Sequence, residues 1–347
     1  MSHICIAWPG LPDYAARCIR EFINRGEHHV TVIATRPDVP IEGMEHSLKQ
    51  KVIWINGDDS SLDFGKLNLG LPDILFCGGY AVPAFRSLTA ACNRCGIPVI
   101  LLSDNYLEGN HLKRLLIQAR HRLLFAKRYR GVLVPGEAGH AYASAMGYDA
   151  RAIRTGLYSA DPRLFHEGKP LAERPKRFLF VGRFINRKNV LRLTEAFVRF
   201  AEECPDWELH LCGAGPQRDL LPEHSRIIIH DFLQPPDLAR TMRETRCLVL
   251  PSSKEHFGLV VHEAALSGCA LALSRAVGAA ADLATDANAV VFREHDTEAI
   301  ERAFYTMSRW SGKRWNRAGF ISAKRATRIS PNNFADAIQA FVIDNVM

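Results

Sequence analysis

The sequence predicts an α/β protein in two successive halves, each a parallel β-sheet with helices on both faces. Short apolar runs that end in glycine, proline or polar loops alternate with longer segments of helical periodicity. That alternation breaks at a polar, proline-bearing stretch, residues 169–176 (KPLAERPK), and starts again directly after it. A length of 347 residues also suits two domains with cores of their own, at roughly 100–200 residues each.

Taken in order, residues 4–8 read as a strand, which Pro9-Gly10-Leu11-Pro12 turns into a helix reaching Asn24 and closed by Gly26. Strands follow at 29–34, 51–55 and 73–77, the last ending in Gly78-Gly79. A helix over 83–94 leads to a strand over 98–103. After a basic helical stretch comes a strand over 131–135, then Gly136-Glu137 and a helix reaching Met146-Gly147. The second half offers strands at 178–182, 207–213, 227–231, 247–251 and 270–274, with helices over 189–203 and 236–244 and from Phe257 onward. Residues 331–346 read as a closing helix. In such sheets ligands bind beyond the carboxyl ends of the strands, which directs attention to Gly10, Gly78-Gly79, Asp104 and the loops after 182, 213 and 251.

Composition sets the class. Apolar residues make up 47% and charged residues 23% of the chain, as in soluble globular proteins. No apolar run reaches the roughly 18 residues of a transmembrane helix. The first residues, MSHICIAWPG, lack the basic, apolar and small-residue regions of a signal peptide, so a cytoplasmic protein is expected. Nine cysteines, mostly in apolar segments, read as reduced core residues. Cys92 and Cys95 form a C-x2-C, with no second Cys or His pair at metal spacing nearby, so packing is the expectation there.

The net charge of +7 is unevenly placed. Between His111 and Arg130 stand seven Lys or Arg residues and no acid, with leucines and alanines at helical spacing. One reading is a helix that meets an anionic membrane surface or an anionic substrate. The other is a helix packed on a sheet with a solvated basic face. Nucleic acid is not expected, because no aromatic residues interleave with the cations.

The stretch 251–267, PSSKEHFGLVVHEAALS, carries the densest chemistry. A buried-type strand runs into a polar loop and then a helix whose first turn is expected to hold Phe257, Gly258, Leu259 and Val260. Helix starts present unpaired N–H groups and partial positive charge, which suit a phosphate. Gly258 permits close approach to the backbone. Glu255 and Glu263, spaced E-x7-E, bracket that mouth and can accept hydrogen bonds from sugar hydroxyls. The ligand so described carries phosphate between two polyhydroxylated ends, as a nucleotide sugar does.

This E-x7-E with its internal Phe-Gly resembles the retaining GT-B glycosyltransferases of family four (glycosyl transferases group 1). FLFVGRFINRK at 178–188 is similar to the family's V-G-R-x-x-x-x-K segment, and LHLCGAGP at 209–216 to its strand followed by G-x-G-P. Residues 154–165, RTGLYSADPRLF, resemble its passage between domains. The resemblance implies GT-B architecture, two Rossmann-like domains facing each other across a cleft. It divides the chain into an N-terminal acceptor-side domain over 1–165, a linker over 166–176 and a C-terminal nucleotide-sugar domain over 177–330, with helix 331–347 packing back on the first.

The implied reaction is transfer of a sugar, with retention, from a UDP- or GDP-sugar to a glycan or lipid-linked acceptor, as in lipopolysaccharide or polysaccharide assembly. Candidate catalytic residues are Glu255, Arg183, Lys188 and Asp104. The resemblance places Glu263 on the ribose, Glu255 on the sugar ring, and Phe257, Gly258, Leu259 and Val260 at the phosphates. Arg183 and Lys188 would meet the diphosphate; a solvated surface pair is the alternative. Gly213 and Gly215 read as a close-approach loop or a simple turn, Phe232 as a contact to the base, and Gly10 as a contact to the diphosphate. Many relatives carry a sugar-contacting histidine where this chain has Ser103-Asp104-Asn105; Asp104 suits a hydroxyl or a helix cap. Asp58-Asp59 lacks the context of a metal-binding Asp-x-Asp, so no metal and no cofactor is expected. A GT-B epimerase or phosphorylase, and a non-catalytic GT-B scaffold that binds only nucleotide or membrane, are the competing readings.

Overall fold

The computed structural model describes residues 1–38, 40, 43–105, 111–124 and 127–346. Its contacts divide the chain into two compact units, Met1–Ser159 with Ser330–Met347, and Ala160–Ile329.

In the first unit the elements run β1 (His3–Trp8), α1 (Asp13–Ile23), β2 (His29–Ala34), α2 (Met44–Leu48), β3 (Ile53–Trp54), β4 (Ile74–Cys77), α3 (Pro83–Arg94), β5 (Val99–Leu102), α4 (His111–Leu124), β6 (Gly131–Val134), α5 (Gly136–Met146) and β7 (Ile153–Thr155). The second unit adds β8 (Arg177–Val181), α6 (Val190–Glu203), β9 (Glu208–Cys212), β10 (Ile227–His230), α7 (Pro235–Arg243), β11 (Cys247–Leu250), α8 (Leu259–Leu266), β12 (Ala270–Ser274), α9 (Ala280–Leu283), β13 (Ala289–Phe292), α10 (Thr297–Ser308) and α11 (Gly312–Ala326). The chain closes with α12 (Pro331–Val346), which belongs to the first unit.

Both sheets are parallel throughout, in the orders β3-β2-β1-β4-β5-β6-β7 and β10-β9-β8-β11-β12-β13. The strand order reverses between β1 and β4 in one and between β8 and β11 in the other. A crevice opens at such a point because the connections leave to opposite sides. The central strands are buried on both faces, which is why they read as continuous apolar runs. The α/β class expected from the alternation is therefore the one observed.

Helix α12 lies on the first unit's own core. Phe334 meets Trp8 and Phe341 meets Phe76, with ring centroids 6.4 and 6.2 Å apart. Gly131 makes room for it, since a Cβ there would lie 2.6 Å from the Phe341 ring. Arg25 and Asp336 form an ion pair at 2.6 Å, and Arg154 pairs with Asp344 near the far end.

Residues 166–176, expected as a linker, lie in the second unit and are strapped to it. Arg174 is 4% exposed, and its guanidinium donates to the carbonyls of Lys169, Met242, Thr245 and Ser267. A guanidinium so fully bonded to backbone acts as an internal brace. Elements α2, β7, α9, β13, α10 and α11 are not among those the sequence predicts. Of the basic stretch, residues 125 and 126 and the side chains of 111–114, 122 and 124 lie outside the described residues. Cys92 is buried, Cys95 is exposed, and none of the nine cysteines is in a disulfide.

Candidate functional site

In the second unit the loops after β8 and β11 meet where the strand order reverses. Beyond β8, Phe184 is fully buried under the loop while Arg183 is exposed. Asn189 takes the left-handed conformation at φ +54°, and its amide donates to Pro251 O at 2.8 Å. Ser253 N donates to Arg187 O at 2.7 Å, and the Arg187 guanidinium donates to Lys254 O at 3.2 Å. Stitched in this way, the loops bring Lys188 Nζ onto Glu255 Oε2 as an ion pair. The two side chains are only 10% and 13% exposed, and Ser252 Oγ donates to the same carboxylate oxygen at 3.2 Å.

The Glu255 backbone is fixed as firmly. Its N–H donates to Ala276 O at 3.1 Å, and its carbonyl accepts from Gly278 N at 3.0 Å. Gly278 has to be glycine, since a Cβ would stand 1.9 Å from His256 O. Gly258, at φ +85°, is the residue before α8; a Cβ on it would lie 2.9 Å from Glu255 Cγ. Here the sequence expectation needs correcting. The helix starts at Leu259, not at Phe257, because the left-handed Gly258 cannot continue a right-handed turn. Phe257 instead turns into the core at 2% exposure. The first turn is Leu259 and Val260, whose N–H groups have no intrahelical acceptor. Glu263 follows on the next turn, half-buried.

The G-x-G after β9 has a different neighbour from the one its pattern suggests. A Cβ at Gly213 would fall 2.1 Å from Gly182 O, and one at Gly215 would fall 2.5 Å from Phe184 O. Phe184 N donates to Ala214 O at 2.8 Å. These glycines thus press the β9 loop onto the β8 loop, and their close approach is to protein backbone. Phe232 is 36% exposed just beyond β10, after Asp231, which pairs with Arg218 at 2.9 Å.

Gly10, Gly78 and Asp104 belong to the first unit. Gly10, at φ +55°, donates its N–H to Thr35 Oγ1 at 2.7 Å. Gly78 and Gly79 lie against Pro9, a Cβ on Gly78 coming within 2.7 Å of its ring. Packing of the β1 loop on the β4 loop thus accounts for that pair. Asp104 is exposed in the loop after β5, beside Asn105, whose amide donates to Ser103 Oγ at 3.1 Å.

Sequence reasoning missed Asn189, Ser252, Gly278 and, above all, His262. The imidazole of His262 is wholly buried on α8. Its Nδ1 accepts from Ala160 N at 3.0 Å, so Nε2 carries the proton donated to Ala326 O at 2.9 Å. Burial brings its pKa down to about 4, which keeps the ring neutral. The available signal was a lone histidine inside the apolar run VVHEAAL. His262 ties the helix that carries Glu263 to the first residue of the second unit and to the end of α11.

Among the described residues no three His, Cys, Asp or Glu side chains gather where a metal ion could be held. No described helix is long and apolar enough to cross a membrane.

Comparison with known proteins fits this picture. Residues 175–309 match the family described as glycosyl transferases group 1. An uncharacterized glycosyltransferase, YqgM of Bacillus subtilis, is 29% identical over 120 residues, 32% of this chain and 33% of its own. The 2-deoxystreptamine N-acetyl-D-glucosaminyltransferase of Niallia circulans is 25% identical over 126 residues, 34% of this chain and 32% of its own. The aligned region thus spans about a third of the length of these curated relatives. HepE of Anabaena, solved in complex with UDP and glucose, superposes with a TM-score of 0.76 at 14% identity, covering 99% of this chain and all of its own. The chain has the GT-B fold, and its residues 175–309 form a glycosyl transferases group 1 domain.

Proposed function

We propose that this protein is a glycosyltransferase that moves a sugar from a nucleotide-diphosphate sugar, a UDP- or GDP-sugar, to a glycan or lipid-linked acceptor. The observation that carries this reading is the Lys188–Glu255 pair at the reversal point of the second sheet, beside the start of α8. It sets a cation and a carboxylate able to accept from sugar hydroxyls next to backbone N–H groups in the place where open α/β sheets take ligands. The family match and the solved complexes of HepE with UDP and with UDP-glucose support the same ligand class.

In this reading Glu263 accepts from the ribose hydroxyls and Glu255 from the sugar ring. Leu259 and Val260 N–H, with Lys188 and the exposed Arg183, neutralise charge growing on the leaving phosphate. These groups do the work without a metal ion. The family resemblance favours retention by front-face displacement. The anomeric C–O bond to phosphate breaks as the acceptor oxygen bonds the same face, and the acceptor proton passes to the leaving phosphate. Asp104 is assigned to an acceptor or sugar hydroxyl.

Attachment to an anionic membrane surface is part of the proposal. Helix α4 exposes Leu115, Leu116 and Leu123, and the cations Arg120, Lys127 and Arg128 stand in the same stretch. That combination of apolar and basic groups suits a lipid interface better than a sheet-packed helix.

Calorimetric titration of UDP and GDP, each alone and as its sugar, into the protein and a Lys188→Ala variant tests the donor assignment. Saturable binding of one nucleotide family, lost in the variant, is the expected result. Binding untouched by Lys188→Ala would remove the site from this place. Product analysis separates the competing activities, since an epimerase returns a changed donor and a phosphorylase requires inorganic phosphate.

A further inference from the structure

A groove of about 1140 Å³ runs the length of α3 in the first unit. One end opens at Tyr80 and Pro83, just past the carboxyl end of β4; the other reaches Gly96 and Ile97 before β5 and residues 127–130 before β6. Arg86 and Arg94 line it from α3, with Lys127, Arg128 and Arg130 opposite. No carboxylate is among its described lining residues. Asp58 and Asp59 immediately precede its Ser60 in sequence, and Asp59 is engaged by Ser61 N at 2.9 Å and Ser61 Oγ at 2.8 Å. Five cations in one groove, on a chain of net charge +7, make a concentrated positive field.

A second, independent observation lies in the groove wall. Thr89 lines the groove, is 3% exposed, and its Oγ1 has no hydrogen-bond partner. The Tyr129 phenol and the Cys77 thiol both interact with this hydroxyl from the core side, but neither completes a well-formed hydrogen bond to it. A buried hydroxyl short of a well-formed hydrogen bond is costly, and a ligand oxygen in the groove would recover that loss. Burial also holds the Tyr129 phenol protonated, well above its usual range, so it too remains a donor.

We propose that this groove binds a phosphate-bearing ligand, with Arg86, Arg94 and Arg130 on the phosphate oxygens and Thr89 donating from the wall. Arginine forks match two oxygens of a tetrahedral anion at once. A single carboxylate would leave most of these donors unused, whereas a phosphate ester or diphosphate supplies enough charge and acceptors. The open end at Tyr80 lies at the carboxyl end of β4, beside Gly78 and Gly79, so the ligand suits the role of a phosphorylated acceptor. That role rests on the glycosyl-transfer reading; the anion site does not.

The test is calorimetric titration of inorganic pyrophosphate into the whole protein. Saturable binding is expected, weakened about tenfold by Arg86→Ala or by Arg130→Ala, as for one lost charge-assisted contact, and several-fold by Thr89→Val. It should persist in Lys188→Ala, which marks the second unit's site. Arg86 and Arg130 are exposed, so their replacement leaves folding nearly unchanged. Absence of saturable binding would overturn the proposal. So would binding that ignores Arg86 and Arg130 and disappears in Lys188→Ala. Co-sedimentation with phosphatidylcholine–phosphatidylglycerol vesicles then identifies the source of the phosphate. Sedimentation competed by pyrophosphate and lost in Arg86→Ala assigns a lipid headgroup, and pyrophosphate binding with vesicles ignored assigns a soluble phosphate ester.

Discussion

Lys188, at the end of the β8 loop, is ion-paired with Glu255 in the β11 loop, and both side chains are almost withdrawn from water. Neither residue would be left in that position by chain connectivity alone. Asn189 bonded to Pro251 O and Arg187 bonded to Lys254 O lock the two loops together around the pair. Removing one partner leaves the other charge nearly buried and uncompensated. We predict that Lys188→Met lowers stability by about 3 kcal/mol in urea unfolding, and that Lys188→Met/Glu255→Leu recovers most of the loss. Both variants should fail to bind donor. A single variant as stable as wild type would show that solvent reaches the pair freely.

Gly258 links backbone conformation to the position of Glu255. Alanine there meets two penalties, a left-handed φ of +85° and a Cβ 2.9 Å from Glu255 Cγ. The first costs about 1–2 kcal/mol, and the second pushes the carboxylate off its place. Gly258→Ala should therefore raise the donor KM well beyond what the lost stability explains. Unchanged KM in a destabilised but folded variant would detach Glu255 from donor binding.

Gly278 lies far from the E-x7-E in sequence but against it in space. With His256 O 1.9 Å from a would-be Cβ, Gly278→Ala has to displace the loop that carries Glu255. Overpacking of this kind costs about 1–3 kcal/mol. Differential scanning calorimetry should show a lower Tm together with reduced nucleotide affinity. A wild-type Tm would mean that the loop yields easily.

His262 gives the fold a pH dependence. Its folded pKa of about 4 lies below the ordinary 6.5 of the unfolded chain, because burial opposes the charged ring. Below pH 6.5 the unfolded state takes up a proton that the folded state refuses. Stability therefore falls as the pH drops through that interval and levels off near pH 4, by at most about 3 kcal/mol from this group. In His262→Gln this part of the slope should vanish. Parallel urea series at several pH values, wild type against variant, measure it; identical slopes would contradict a buried neutral imidazole.

The parallel sheets were legible because their strands, buried on both faces, appear as unbroken apolar runs such as ILFC at 74–77 and CLVL at 247–250. Strand β13 escaped because AVVF at 289–292 is short and partly exposed. Helices α10 and α11 follow it in the stretch between 275 and 330, for which the sequence predicts no element. The candidate site residues Arg183, Lys188, Glu255 and Glu263 stand out through spacing and position after strands. Their supports did not, because Asn189, Ser252 and Gly278 act through contacts between distant segments that no local pattern encodes. The glycines show the same limit. Gly213 and Gly215 are recognisable as close-approach residues, yet only the structure reveals that the partner is the backbone at Gly182 and Phe184.

The most direct test of the central claim is nucleotide release from a panel of UDP-, GDP- and ADP-sugars with an acceptor pool, with and without EDTA, beside a Glu255→Ala control. Release from one UDP- or GDP-sugar, unaffected by EDTA and abolished in Glu255→Ala, is the predicted result. Tight nucleotide binding without turnover across the panel would contradict a transferase and leave a nucleotide-binding scaffold.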